Sequence, residues 1–341
     1  MTLTEMQPSF PIMNGWLTSI AVTALLGGSI ACGRLPRGAP PSATVWLLPS
    51  PTRQEAPESA ALPAEVGAFQ GTLIVLDSST LSPVDPSARA AAPAGSSRIA
   101  MVTTYQGTRY HPESIRALTD DPAAVGALAG RIATAAAANG TGLFVDFQGA
   151  TPDEINRTTM MSRAIADSGR AHGLSPIGTV VPPGDTIGYP TAVLARTSDL
   201  IIIRLHGEHR AGTAPGPLAS PDWIARQIGM RASEIGVNRL VAELPLFGYR
   251  WDKNGSVNDI TYAEAQKLVR SEAGVFRRDP ASGSLVASSV RSGWTIWIGD
   301  ARTLELLIKT ARRAGVRRFV LLSPAGADPD IWTRLPAALK R

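Results

Sequence analysis

In the stretch TGLFVDFQG, residues 141–149, Phe144, Asp146 and Gln148 fall two apart, so on a strand all three project to one side. Gly149 then releases the chain into a loop. Asp146 is suited to accept hydrogen bonds from a ligand, or to satisfy buried backbone donors at the strand end. Gln148 can donate and accept, but its amide has no proton acidic enough to transfer. Three other carboxylates stand near the ends of similar apolar runs: Glu208 just past DLIIIRLHG (199–207), Glu243 inside RLVAELPLFG (239–248), and Asp300 after WTIWIG. Each is a candidate proton donor. Glu243 comes first, because a charge inside LVAELPLF is costly unless it faces a polar site. Its structural alternative is an ion pair with Arg204 on the neighbouring run. His206 is either a ligand contact or a satisfied structural residue. No zinc-type ligand cluster, phosphate-binding glycine loop or Gly-x-Ser-x-Gly nucleophile occurs, so no cofactor and no metal are expected.

These groups need a frame, and the pattern of the chain supplies one. Short β-branched runs, ATVWLLPS (43–50), TLIVLDSS (72–79), RIAMVTTY (98–105), GLFVDFQG (142–149), LSPIGTVVP (174–182), DLIIIRLHG, RLVAELPLFG and RRFVLLSP (317–324), read as buried strands. Between several of them lie helical patterns: the Ala-rich 121–140, then 151–173 opened by a Thr cap and Pro152, one around 221–230, and 301–315. Eight strands alternating with helices predict an α/β fold, a parallel (β/α)8 TIM barrel. From Asp252 to Trp297 the rhythm changes to a helix followed by hairpin-like strands, a small α+β insertion between strands seven and eight on the rim.

The chain has 341 residues, 44% hydrophobic and 18% charged, with a formal charge of +5 and a single cysteine. That length fits one large barrel, and one cysteine excludes a disulfide framework. The arginines are spread along the chain, which argues for a solvated surface near an anionic envelope and against nucleic-acid binding. From Trp16 to Ala31 runs an apolar, uncharged stretch that ends on Cys32. Its length and its small residues fit a secretory signal, and SIAC resembles a bacterial lipoprotein processing box in which Cys32 is lipidated. Translation from Met13 would leave a more compact leader. The expected organisation is a signal peptide of lipoprotein type over 1–32, a Pro/Gly-rich tether over 33–42 and a barrel over 43–341, exported to the cell envelope or secreted.

From residue 98 to 332 the chain resembles a family 18 glycoside hydrolase, particularly the chitinase-like bacterial cell-wall and spore-germination branch. The resemblance rests on VVPPGDTIGYP, TSDLIIIRLHGEH, GTAPGPLASPDW, LPLFGYRWDKNG, WTIWIGDARTLELLIKTARRAGVRRFV and DPDIW, in that order. It implies a row of acidic residues at the end of the fourth strand, at positions that fall here on Thr141, Phe144, Asp146 and Gln148. The last of these is the family's proton-donating glutamate, and Asp146 corresponds to the aspartate that orients the substrate's acetamido group in substrate-assisted cleavage. The family's tyrosine and aspartate on the sixth strand fall on His206 and Gly207, and its tryptophan floor on Ser323 and Pro324. The scaffold motifs persist while the catalytic positions depart.

The resemblance therefore implies a pseudoenzyme that binds an N-acetylglucosamine-containing polysaccharide, peptidoglycan or chitin-like. The alternatives are a divergent glycosidase with a relocated acid, and a structural envelope module that binds no sugar. Asp146, Gln148 and Glu243 are the expected catalytic-position residues; Phe144, His206, Tyr249 and Trp251 are the expected sugar contacts. Among the rim aromatics, Trp251 is expected to be the stacking platform and Trp297 to be core.

Overall fold

The computed structural model describes residues 45–48, 66–75, 80–82, 97–106, 109–116, 120–138, 140–149, 151 and 154–340. Cys32, the apolar stretch before it and the tether lie outside these residues. The chain opens with β1 (Val45–Leu48), β2 (Val66–Ile74) and β3 (Arg98–Thr103), followed by a small hairpin, β4 (Tyr105–Gln106) and β5 (Arg109–Tyr110). Next come α1 (Glu113–Arg116), α2 (Pro122–Ala137), β6 (Gly142–Asp146), α3 (Ile155–Ala171), β7 (Ile177–Val181), α4 (Thr191–Leu194), β8 (Leu200–Arg204), α5 (Pro221–Ile235) and β9 (Leu240–Pro245). After β9 the insertion runs through β10 (Gly248–Asp252), β11 (Val257–Ile260), α6 (Tyr262–Ser271), β12 (Arg277–Arg278), β13 (Leu285–Ser289) and β14 (Trp294–Ile298). The chain closes with α7 (Ala301–Arg313), β15 (Arg318–Leu322) and α8 (Asp330–Lys340).

Strands β1, β2, β3, β6, β7, β8, β9 and β15 close into a parallel barrel, and each contains part of a predicted strand. The second strand differs most from expectation. It begins at Val66 rather than Thr72, because Gly67 and Gly71 hide its periodicity. Gly67 is required where it stands: a Cβ there would lie 2.6 Å from Cδ1 of the buried Trp46.

Alternation along the strands sorts the core into an interior and an outer layer. Trp46, Ile99, Phe144, Val180, Ile202 and Val241 fill the barrel, and Trp46 meets Phe144 edge to face at 5.7 Å. Leu143, Val145, Ile201, Ile203, Ala242 and Leu244 face the helices instead. One step further along the same inward rows stand Asp146 after Phe144, Arg204 after Ile202 and Glu243 after Val241. The alternation that builds the apolar plug thus also delivers charge to its upper end.

Local signals explain most helix starts. The Asp121 side chain accepts from Ala123 N–H ahead of Pro122, Ser220 does the same for Trp223, and Thr261 with Glu264 forms a capping box. Helix α3 departs from expectation: it begins at Ile155, and Glu154 accepts from Thr151 N–H at 2.9 Å, so the acid rather than the threonine closes that turn. The insertion is an antiparallel sheet in the order β11-β10-β14-β13-β12, and its first strand starts at Gly248, slightly before the predicted boundary. Gly248 packs on β14, where a Cβ would lie 2.3 Å from the Trp297 carbonyl oxygen.

Candidate functional site

The inward ends of β6, β8 and β9 meet at the C-terminal mouth, the end of a parallel barrel where ligand sites are built. Arg204 sits at the centre. Its Nε donates to Glu243 Oε1 at 2.9 Å, its Nη2 donates to Asp146 Oδ2 at 2.9 Å, and its Nη1 donates to the Tyr110 hydroxyl. Tyr110 in turn donates to Asp146 Oδ2 at 2.8 Å. The β8–β9 register places Arg204 directly beside Glu243, and the β4–β5 hairpin carries Tyr110 over the mouth.

The charges hold one another in fixed states. Burial alone would raise the Glu243 carboxyl, but the Arg204 charge overrides it and sets the pKa at about 2. Burial would likewise lower the Arg204 guanidinium, yet Asp146, Glu243 and Tyr110 together hold it well above its ordinary value. Burial and then the charge of Asp146 push the Tyr110 hydroxyl well above its usual pKa, so it remains a donor. Four buried polar atoms here have no hydrogen-bond partner: Asp146 Oδ1, Glu243 Oε2, His206 Nε2 and Trp251 Nε1. His206 Nε2 lies 3.6 Å from Glu243 Oε1, long for a hydrogen bond, and together with Arg204 it lowers the pKa of that carboxyl.

This geometry places each expected residue. Asp146 stands in the network, 3% exposed. Gln148 is 6% exposed, and its Nε2 donates to the Val180 carbonyl at 3.3 Å. Phe144 is not a sugar contact: it is fully buried in the barrel interior beneath the mouth. Glu243 is not a displaced general acid, because at 0% exposure and a pKa near 2 it carries no proton to give. It is instead the ion-pair partner of Arg204. Glu208 accepts from the N–H and hydroxyl of Ser220, and Asp300 caps α7 while paired with Arg278, so both serve structure.

The rim aromatics differ from expectation in exposure. Trp251 is 7% exposed, whereas Trp297 is partly open. Trp297 lies opposite Tyr249 across β10 and β14. Strand alternation puts both on the sheet face away from the insertion core of Ile260, Val269, Trp294, Ile296 and Ile298. His206, Phe247, Tyr249 and Trp251 form a chain of edge-to-face contacts, each 5.6 or 5.7 Å between centroids, that leads from the mouth into the insertion.

Tyr110 escaped the sequence analysis because it lies on a two-residue strand in a loop, with no periodicity to flag it. Arg204, expected only as the ion-pair partner in the structural alternative for Glu243, forms that pair. A charge at the end of LIIIR, in phase with the inward row, is as conspicuous as Glu243. Among the described residues no group of His, Cys, Asp and Glu is placed to hold a metal, and no helix is long and apolar enough to cross a membrane.

A closed parallel barrel, a rim insertion after the seventh strand and a polar mouth at the strand ends define a class: in fold the chain is similar to the family 18 glycoside hydrolases. No family model matches the sequence. A chitinase from Chromobacterium violaceum superposes with a TM-score of 0.71 at 18% identity, covering 88% of this chain and 99% of that one. The spore cortex-lytic enzyme SleL of Bacillus megaterium gives a TM-score of 0.68 at 13% identity, covering 86% of this chain and 73% of that one. In sequence, the uncharacterized glycosylase YvbX of Bacillus subtilis is 26% identical over 141 residues, 39% of this chain. The matched stretch spans only 41% of that relative's length.

Proposed function

We propose that this protein is a glycan-binding barrel that takes a neutral, N-acetylglucosamine-containing polymer at its mouth and does not cleave it by the substrate-assisted route. We place it outside the cytoplasm, held to the cell envelope through its N-terminal segment. One observation carries the reading: neither Gln148 nor Glu243, the described residues at the proton-donor position and in the seventh strand, offers a proton at the strand ends. The glutamate position is Gln148, whose amide already donates to Val180, and Glu243 is locked ionised by Arg204.

The remaining chemistry suits binding. With Asp146 and Glu243 negative against Arg204, the mouth carries a net negative charge when His206 is neutral, which favours a neutral sugar over an anionic one. The unpartnered Asp146 Oδ1 is an acceptor of the kind an acetamido N–H needs, and Tyr249 and Trp297 offer ring faces for stacking. Phe144 lies below the mouth rather than in it, and Arg204 and His206 stay partly exposed, which favours binding over a filled structural module. The similarity in fold to a chitinase and to a spore cortex-lytic enzyme supports the polymer class.

The test pairs retention on insoluble chitin and peptidoglycan with hydrolysis of a fluorogenic N-acetylglucosamine oligomer, for the parent and for Gln148→Glu. The parent is expected to be retained without turnover. Gln148→Glu alone is expected to stay at background, because Tyr110 and Arg204 still hold Asp146. Turnover by the parent that survives Gln148→Ala would overturn the reading in favour of a divergent hydrolase. Absence of retention on both polymers would overturn it in favour of a module that binds no sugar.

A further inference from the structure

Because the barrel strands are parallel, their first residues gather at the end opposite Asp146, Arg204 and Glu243. The helices run back the other way, so their last turns arrive at the same end. That end is basic. Arg98 opens β3, Arg196 precedes β8, Arg312 and Arg313 close α7, and Arg317 and Arg318 lead into β15. Among the described residues the acids there are engaged: Asp167 and Asp199 pair with Arg170, and Glu234 accepts from Ala192 N–H. Arg239 donates to the carbonyls of Ala195 and Ser198. Arg98, Arg196, Arg313 and Arg317 stay exposed with no carboxylate partner. Burial, and then the charge of Arg317, weaken the hold of Arg312 on its proton, and its Nε is buried without a partner. Among the described residues, like charges are therefore gathered here with no carboxylate paired to them.

Helix C-termini attract cations, which accounts for Arg312 and Arg313. It does not account for Arg98 or Arg318, which stand in strands. The route of the chain is a second, independent observation. Val45 pairs with Phe319, the residue after Arg318, so the segment preceding the barrel joins it at the basic end. That segment contains the apolar run Trp16–Ala31, Cys32 and the Pro/Gly-rich tether.

We propose that the basic end of the barrel is a docking face for an anionic phospholipid surface, which turns the opposite mouth away from the bilayer. Basic side chains within a Debye length of such a surface strengthen binding by roughly five-fold each. The proposal goes beyond the glycan reading and does not depend on it, since the two faces lie at opposite ends of the barrel.

The test is co-sedimentation of the full chain with phosphatidylcholine vesicles and with vesicles that also contain phosphatidylglycerol, at low and high salt. The apolar N-terminal run contributes to both, so the readout is the preference for the anionic vesicles. That preference is expected to fall with salt. In Arg196→Gln/Arg313→Gln/Arg317→Gln it is expected to drop by on the order of 100-fold. In Arg270→Gln/Arg277→Gln/Arg302→Gln, exposed arginines of the insertion and of the opposite end of α7, it should persist. Arg98→Gln and Arg313→Gln as single changes, each expected to weaken the preference roughly five-fold, keep the test intact should the triple variant misfold. Equal retention on both vesicle types, equal loss in both triple variants, or capture by double-stranded DNA in preference to the anionic vesicles would each overturn the proposal.

Discussion

Two arginine–carboxylate clusters, one after the insertion and one at the mouth, differ in how completely they are satisfied. In the first, both Asp300 oxygens are engaged: Oδ1 accepts from Arg278 Nη1 at 3.0 Å and from the Thr303 N–H and hydroxyl, each at 2.9 Å, while Oδ2 accepts from Arg278 Nη2 at 2.5 Å. At the mouth, Arg204 spends its donors on Asp146, Glu243 and Tyr110, yet Asp146 Oδ1 and Glu243 Oε2 are buried with no partner. A pair that only holds a fold together saturates its acceptors, because each buried lone acceptor destabilises the folded state. Acceptors left open among charges are free to take a donor from outside the protein.

The largest test of this contrast is Arg204→Met. It leaves two buried carboxylates without their cation, an expected loss of about 3–5 kcal/mol in urea denaturation. The pH dependence gives a sharper sign. In the parent the Glu243 pKa is about 2, below the roughly 4.3 of an unfolded glutamate, so its contribution is complete above about pH 4.5 and is lost as pH falls toward 2. Without Arg204, burial, the largest influence on this carboxyl, is opposed only by His206, so the folded pKa is expected to rise and the slope to reverse. Arg204→Met should therefore be more stable at pH 5 than at pH 7. Equal stability at the two pH values would break the account of the mouth as a charge lock.

Tyr110→Phe is the next step down. It removes one donor to Asp146 and one acceptor from Arg204 without changing charge, with an expected loss of about 1.5–3 kcal/mol in thermal or urea unfolding. At the other cluster, Asp300→Ala removes the cap of α7 and should lower stability by about 1–2 kcal/mol while leaving retention on chitin and peptidoglycan unchanged. A loss of retention in Asp300→Ala would blur the distinction between the clusters.

The barrel was legible because its strands are short apolar runs punctuated by turn residues, and because Phe144, Asp146 and Gln148 sit in phase on one of them. The Arg204–Glu243 pair was visible as an alternative for the same reason: both charges interrupt apolar runs at inward positions. What sequence periodicity could not show was how the top of the barrel is tied. Tyr110 reaches Asp146 across 36 residues from a hairpin too short to have a pattern. The rim is hard to read from sequence for a related reason. In WTIWIGD both tryptophans look equally suited to a core, and only the pairing of β14 with β10 shows that Trp294 faces the insertion core while Trp297 faces the other way.

The difference in exposure between Trp251 and Trp297 supplies the finest test. Trp297→Ala should leave the fold close to intact, since the ring is only partly buried. It should weaken retention on an N-acetylglucosamine polymer by several-fold, as befits the loss of a stacking contact of about 0.5–1.5 kcal/mol. Trp251→Ala should behave in the opposite way, because Trp251 is buried at the end of the aromatic chain from His206 and its truncation acts first on stability, by about 3–5 kcal/mol. Retention isotherms and urea midpoints measured on the same two variants separate the roles. If Trp251→Ala loses glycan while keeping its midpoint, the ligand extends beyond Tyr249 to Trp251 on the same sheet face. The open acceptors at the mouth would then serve only the first sugar.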